Sequence, residues 1–125
     1  MPIPRRSFLG LGALAALAGL ARPAGAHHGW RWTEDGNFEL TGLIRDRRLG
    51  NPHGLLTIDA GSEIWTAEIG QPWRNERAGL TAQMLEIGTE ITLSGHRAAD
   101  PEELRMKAER VILGGRVFDL YPNRS

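Results

Sequence analysis

The chain changes texture three times along its length. Residues 8–21, "FLGLGALAALAGLA", are apolar with neither a charge nor a period. Residues 27–37, "HHGWRWTEDGN", form a short polar and aromatic arm. From Phe38 a two-residue alternation takes over. Phe38, Leu40, Gly42 and Ile44 alternate with Glu39, Thr41, Leu43 and Arg45, as in a half-buried strand. That run ends near Leu49, at the turn "GNPHG". A second strand is predicted at "LLTIDA", 55–60, and a two-residue hairpin link at Gly61-Ser62. A third follows at "EIWTAEI", 63–69, with Ile64, Thr66 and Glu68 facing away from Trp65, Ala67 and Ile69.

The period then lengthens. "GQPWRNERAGLTAQMLEIG", 70–88, has Pro72 near a helix start and Gly79 near its stop, with a second helical turn from Thr81 to Leu85. Alternation returns at "TEITLSGH", 89–96, the fourth strand. After the loop "RAADPEE", the segment "LRMKAERVIL", 104–113, sets Leu104, Met106 and Ala108 against Arg105, Lys107 and Glu109. Gly114-Gly115 signals a tight hairpin into "RVFDLY", 116–121. Three strands, a helix and two or three more strands predict an all-β domain with one short helix. The expected architecture is an OB-like barrel of five to six strands, with the helix between strands three and four. A plain sandwich or meander is the alternative. The helix at the third junction favours the barrel.

The apolar run changes the picture of the N-terminus. Arg5 and Arg6 precede it, and Ala24-Gly25-Ala26 follows as an A-x-A cleavage site, so residues 1–26 read as a cleaved secretory signal. "RRSFLG" also fits a twin-arginine signal. The run is too short to span a bilayer, which takes about 20 apolar residues. The expected organisation is signal peptide 1–26, arm 27–37 and barrel 38–125. The expected location is the periplasm, with no transmembrane anchor after cleavage.

Removing 26 of 125 residues leaves 99, a single small domain. Basic residues fall from 15 to 12 against 15 acids, a net charge of about −3. A mildly acidic domain argues against nucleic acid, which needs a basic face. There is no cysteine, so disulfides and thiolate chemistry are excluded. A monomer is expected.

Candidate chemistry rests on the four histidines, His27, His28, His53 and His96. Cleavage after Ala26 would make His27 the first residue, so its α-amine and imidazole could chelate one metal. The α-amine ionises at about 7.7–8.0, so freeing it near neutrality costs little. Nitrogen donors suit Cu(II), Zn(II) or Ni(II), with copper favoured. His53, between strands one and two, and His96, at the end of strand four, lie in connections that flank the ligand face of an OB-fold. The topology predicts that these two approach each other and supply further ligands. Against this, each histidine alone can simply brace a turn or a strand end.

A second candidate is "QPWRNERAGL", where Trp73, Arg74 and Arg77 could form an aromatic and cationic corner for an anion or a partner carboxylate. The competing reading is an amphipathic helix that buries Trp73 and leaves the charges in water. Trp30 and Trp32 would share a face if the arm pairs as a strand, clamping it to the barrel. Trp65 and Met106 are assigned to the core. Asp59, Glu63, Glu68 and Asp119 are assigned to solvent-facing strand positions. No nucleophile elbow, phosphate-cradling loop or dinucleotide fingerprint occurs, so no enzyme is expected.

The segments "AHHGW", "LGNPHG", "QPWRNERAGLT", "SGHRAADP" and "LRMKAERV" together resemble a family of small exported bacterial proteins carried as a domain of unknown function. The resemblance spans His27 to Tyr121. It implies an OB-like barrel of the cell envelope and brings no established activity. The leading expectation is a small periplasmic protein that binds copper or another divalent metal through His27, His28, His53 and His96. The alternative is a non-catalytic envelope module that binds a protein or a small anionic ligand through Trp73, Arg74 and Arg77.

Overall fold

The computed structural model describes residues 29–124. The signal-peptide reading and the His27–His28 pair lie outside the described residues. Six strands form in order: β1 (Phe38–Arg48), β2 (Leu55–Asp59), β3 (Ile64–Glu68), β4 (Glu90–Arg97), β5 (Arg105–Leu113) and β6 (Arg116–Asp119). Between β3 and β4 lie a short helix, α1 (Pro72–Arg77), and a 3-10 turn over Ala82–Leu85.

The sheet runs β3-β2-β1-β4-β5-β6, and β3 also pairs with β5. That last pairing is parallel, through Thr66, Ala67 and Glu68 against Arg105, Met106 and Lys107. It closes a five-stranded barrel, with β6 as an antiparallel extension of β5. The predicted OB-like barrel and the place of its helix are therefore the observed ones.

The barrel interior is filled by the alternating apolar residues, among them Leu40, Ile44, Leu56, Ile58, Trp65, Leu93 and Met106. Trp65 and Met106 sit in the core as expected. Two bulges shift the register. One falls in β1 between Ile44 and Asp46. The other falls where Ser94 and Gly95 oppose Arg110 and Ala108, leaving Glu109 as the extra residue. This second bulge lets Met106, Ala108 and Val111 all face inward although their spacing is not strictly two. Gly95 permits the close approach there, since a Cβ would fall 2.0 Å from the Lys107 carbonyl oxygen. Gly114 and Gly115 take φ of 54° and 82° in the β5–β6 hairpin, as that tight turn demands.

Helix α1 reverses one expectation. Its inward residue is Asn75, not Trp73. Asn75 donates to the Gly70 carbonyl at 2.9 Å and accepts from the Gly70 amide at 3.0 Å, tying the helix to the end of β3. Trp73 stays 51% exposed. Six residues complete fewer than two turns, so the helix has only a narrow inner face. The arm also differs from a strand. Its ladder contact among the described residues is one bridge, Thr33 to Ala98.

Candidate functional site

The outer face of β5 carries the largest departure from the sequence reading. Alternation assigns Lys107, Glu109 and Glu68 to solvent, yet they are 1%, 4% and 6% exposed. The reason is a second layer. The arm crosses β5 at Gly29 and Trp30, and the tail after β6 returns over it at Tyr121 and Arg124. The charges beneath are paired, as burial demands. Lys107 Nζ meets Glu68 at 2.7 Å and donates to the Gly29 carbonyl at 2.9 Å. Its ammonium also lies 4.7 Å from the Trp30 ring centre. Glu109 accepts from Arg124 Nε at 2.9 Å and from His96 Nε2 at 2.8 Å. Burial raises the Glu109 pKa, but the hydrogen bonds from Arg124 and His96 outweigh it and hold the carboxyl below its usual range.

Trp30 joins the two layers. It meets His96 edge-on at 5.7 Å and Tyr121 at 5.1 Å, and the Arg124 guanidinium lies 3.7 Å over it. Trp32 stacks separately under Arg105 at 3.8 Å. The two tryptophans therefore clamp the arm through cations rather than by sharing a strand face.

His53, in the β1–β2 connection, and His96, near the end of β4, lie beside different carboxylates. His53 Nδ1 lies 3.6 Å from Glu68, and His96 pairs with Glu109. Burial lowers the His53 pKa; the nearby Glu68 opposes this, while Lys107 and Arg74 reinforce it. The other His96 nitrogen faces the Gly36 carbonyl at 3.0 Å. Both ring nitrogens of His96 are thus taken up by contacts within the protein, one with Gly36 and one with Glu109. Among the described residues, no three His, Asp or Glu side chains converge closely enough to hold one ion.

The second predicted group does converge. Trp73, Arg74 and Arg77 line a cleft of about 560 Å³ with Trp30, Asp119, Tyr121 and Arg124. Spacings of three and four put the three helix residues on one side of α1. Arg74 is bracketed, with its guanidinium 4.6 Å over Trp73 and 4.2 Å over Tyr121. It also donates to the Leu120 carbonyl at 3.2 Å. Its buried Nε has no hydrogen-bond partner, so the two ring faces are what offsets its desolvation. Arg77 is exposed, and no ion pair or hydrogen bond holds its guanidinium among the described residues. Burial raises the Tyr121 pKa above 10.0, so its hydroxyl stays neutral at ordinary pH.

The sequence reading missed Trp30, Tyr121 and Arg124 as cleft walls, and Glu68, Lys107 and Glu109 as the buried charges behind them. One signal was available. In a closed OB-like barrel strand three pairs with strand five, and Glu68 and Lys107 are Cα partners in that ladder.

The family model described as "Family of unknown function (DUF6152)" matches residues 15–106, more than half of the chain, and the chain belongs to that family. No curated protein matches it. Among solved structures, the crystal structure of the S. pombe Stn1-ten1 complex is similar at 13% identity with a TM-score of 0.49. That match covers 60% of this chain and 55% of the other, so the chain spans about half of that neighbour's length. The barrel assignment rests on the strand pairing itself. Among the described residues no helix is long and apolar enough to cross a membrane.

Proposed function

We propose that this member of a family of unknown function is an exported, non-catalytic binding module that takes a small anionic ligand in the cleft beside α1. One observation carries the reading. The aromatic walls of that cleft already hold the cations Arg74 and Arg124, and exposed Arg77 lines it without a partner among the described residues. Among the described residues, a cationic ligand would meet three guanidinium groups against one lining carboxylate, Asp119, so charge complementarity selects an anion. The leader pattern of residues 1–26 supports export.

The metal reading draws on His27 and His28, outside the described residues, and on His53 and His96, each beside its own carboxylate. It has less support than the cleft.

The test is an NMR titration of the full chain with sodium benzoate and with inorganic phosphate. Saturable shifts are expected at Trp73, Arg77 and Tyr121, unaffected by EDTA and weakened at least about tenfold by Arg77→Gln. Shifts that never saturate, or that Arg77→Gln leaves unchanged, would overturn the reading. One equivalent of Cu(II) bound tightly through His27, with no anion effect at the cleft, would move the function to metal binding.

A further inference from the structure

We infer that the ligand of this cleft is a planar, ring-bearing monocarboxylate rather than an inorganic anion or an alkyl acid. The inference rests on the anion-binding reading above and narrows it by two features of the cleft.

The first feature is the number of available donors. Three guanidinium groups line the cleft, but two are partly engaged by the fold. Arg74 lies between Trp73 and Tyr121 and donates to Leu120, and Arg124 has its Nε on Glu109. Among the described residues Arg77 has its whole fork free, while Arg124 keeps its two terminal nitrogens and lies flat on Trp30. One fork matches one carboxylate through two parallel hydrogen bonds. Glu109 already balances Arg124, so the second negative charge of a phosphate or a dicarboxylate gains less here than the first and meets Asp119 in the same lining.

The second feature is the shape of the apolar surface. Arg77 lies four residues beyond Trp73, so a carboxylate on Arg77 brings its body alongside the indole. Trp73 is half exposed, with Arg74 on its ring. Trp30 and Tyr121 also line the wall, with Arg124 and Arg74 already against their faces. Flat aromatic groups gain from offset or edge-on contact with such rings, beyond the gain from burial that any alkyl body shares. A cleft of about 560 Å³ falls in the range that holds a molecule of one or two fused rings with room for solvent.

The experiment is an equilibrium binding series on the full chain at fixed ionic strength. Its probes are 2-naphthoate, the saturated decahydro-2-naphthoate, the neutral 2-naphthamide and inorganic phosphate. The expected order puts 2-naphthoate at least about tenfold tighter than each of the other three. Trp73→Leu should remove most of the gap between the aromatic and saturated acids. Arg77→Gln should remove most of the gap between acid and amide. Both sites are exposed, and unchanged melting temperatures would show that the variants remain folded. Equal affinity for 2-naphthoate and its saturated counterpart, or tighter phosphate binding, would overturn the inference and leave the anion reading standing. Equal affinity for acid and amide, or no binding by any anion, would overturn both.

Discussion

Two ion pairs on the outside of this barrel come from the same kind of sequence and end in opposite environments. Arg45 and Asp59 lie on β1 and β2, 3.9 Å apart, with side chains 62% and 40% exposed. Lys107 and Glu68 lie on β5 and β3, 2.7 Å apart, with side chains 2% and 7% exposed. Each belongs to a strand whose alternation points it away from the core. What separates them is cover: the arm and the tail cross β5, and neither covers Arg45. An exposed pair contributes little because water solvates its charges almost as well and screens them. A buried pair is held by necessity, since losing one partner strands the other in a dry place. Alternation along a strand identifies which residues leave the barrel interior, but not what lies outside.

The strongest way to break the comparison is to remove one charge from the covered pair. Among the described residues, Lys107→Met leaves the Glu68 carboxylate with Arg105 at 3.5 Å and His53 at 3.6 Å. Urea unfolding should show a loss of about 3 kcal/mol, the low end for a broken buried pair. Adding Glu68→Gln should recover part of it by removing the stranded charge. A loss under about 1 kcal/mol would mean that the arm does not seat on β5 in solution.

The same distinction explains what was legible in the sequence. The strands, the hairpin at Gly114-Gly115 and the junction helix followed from alternation and turn residues, because those signals are local. The barrel followed because five strands and a helix in that order have few ways to close. Trp73 was legible as cleft chemistry only against its competing reading, since a six-residue helix has too little inner face to bury an indole beside Asn75. Lys107, Glu68 and Glu109 were misplaced because their burial depends on Trp30 and Tyr121, which lie far from them in sequence. The expected approach of His53 to His96 was argued from the connections that they adjoin. The carboxylates that hold them, Glu68 and Glu109, come from strands that the topology had not yet tied to those connections.

A smaller effect separates the two regions by pH. Glu109 loses its proton at lower pH in the folded chain than the usual 4.5. The unfolded chain therefore takes that proton first on acidification. The stability from Glu109 is complete above the usual carboxylate range and is lost as pH falls toward the lowered value. His53 gives a slope of the same sign at higher pH. The folded ring resists a proton that the unfolded ring accepts below 6.5, so stability declines as pH drops from there. The urea midpoint should fall in two stages. His53→Gln should flatten the upper stage. Glu109→Gln should flatten the lower one and cost about 1.5 kcal/mol at neutral pH through weakened bonds to Arg124 and His96. A lower stage that survives Glu109→Gln would place the acid-sensitive group elsewhere.

The smallest expected effect is the sharpest control on the comparison. Arg45→Ala removes a guanidinium that reaches its carboxylate only at 3.9 Å, with both side chains in contact with water. The freed Asp59 does not become a stranded charge, because solvent takes over and its carboxylate already accepts from the Gly61 amide at 3.0 Å. The loss should stay under about 0.5 kcal/mol and shrink further at high salt, where exposed charges are screened. The surroundings make this more than a formality. Leu43 and Ile64, both outward and nearly half exposed, oppose Asp59 from its two neighbouring strands. If a second molecule covered that face in solution, Arg45 would be desolvated as Lys107 is. Arg45→Ala would then cost well over 1 kcal/mol, and the cost would grow with protein concentration. A small, concentration-independent loss keeps the β1–β2 face open to water and leaves the arm and tail as what makes the other pair matter.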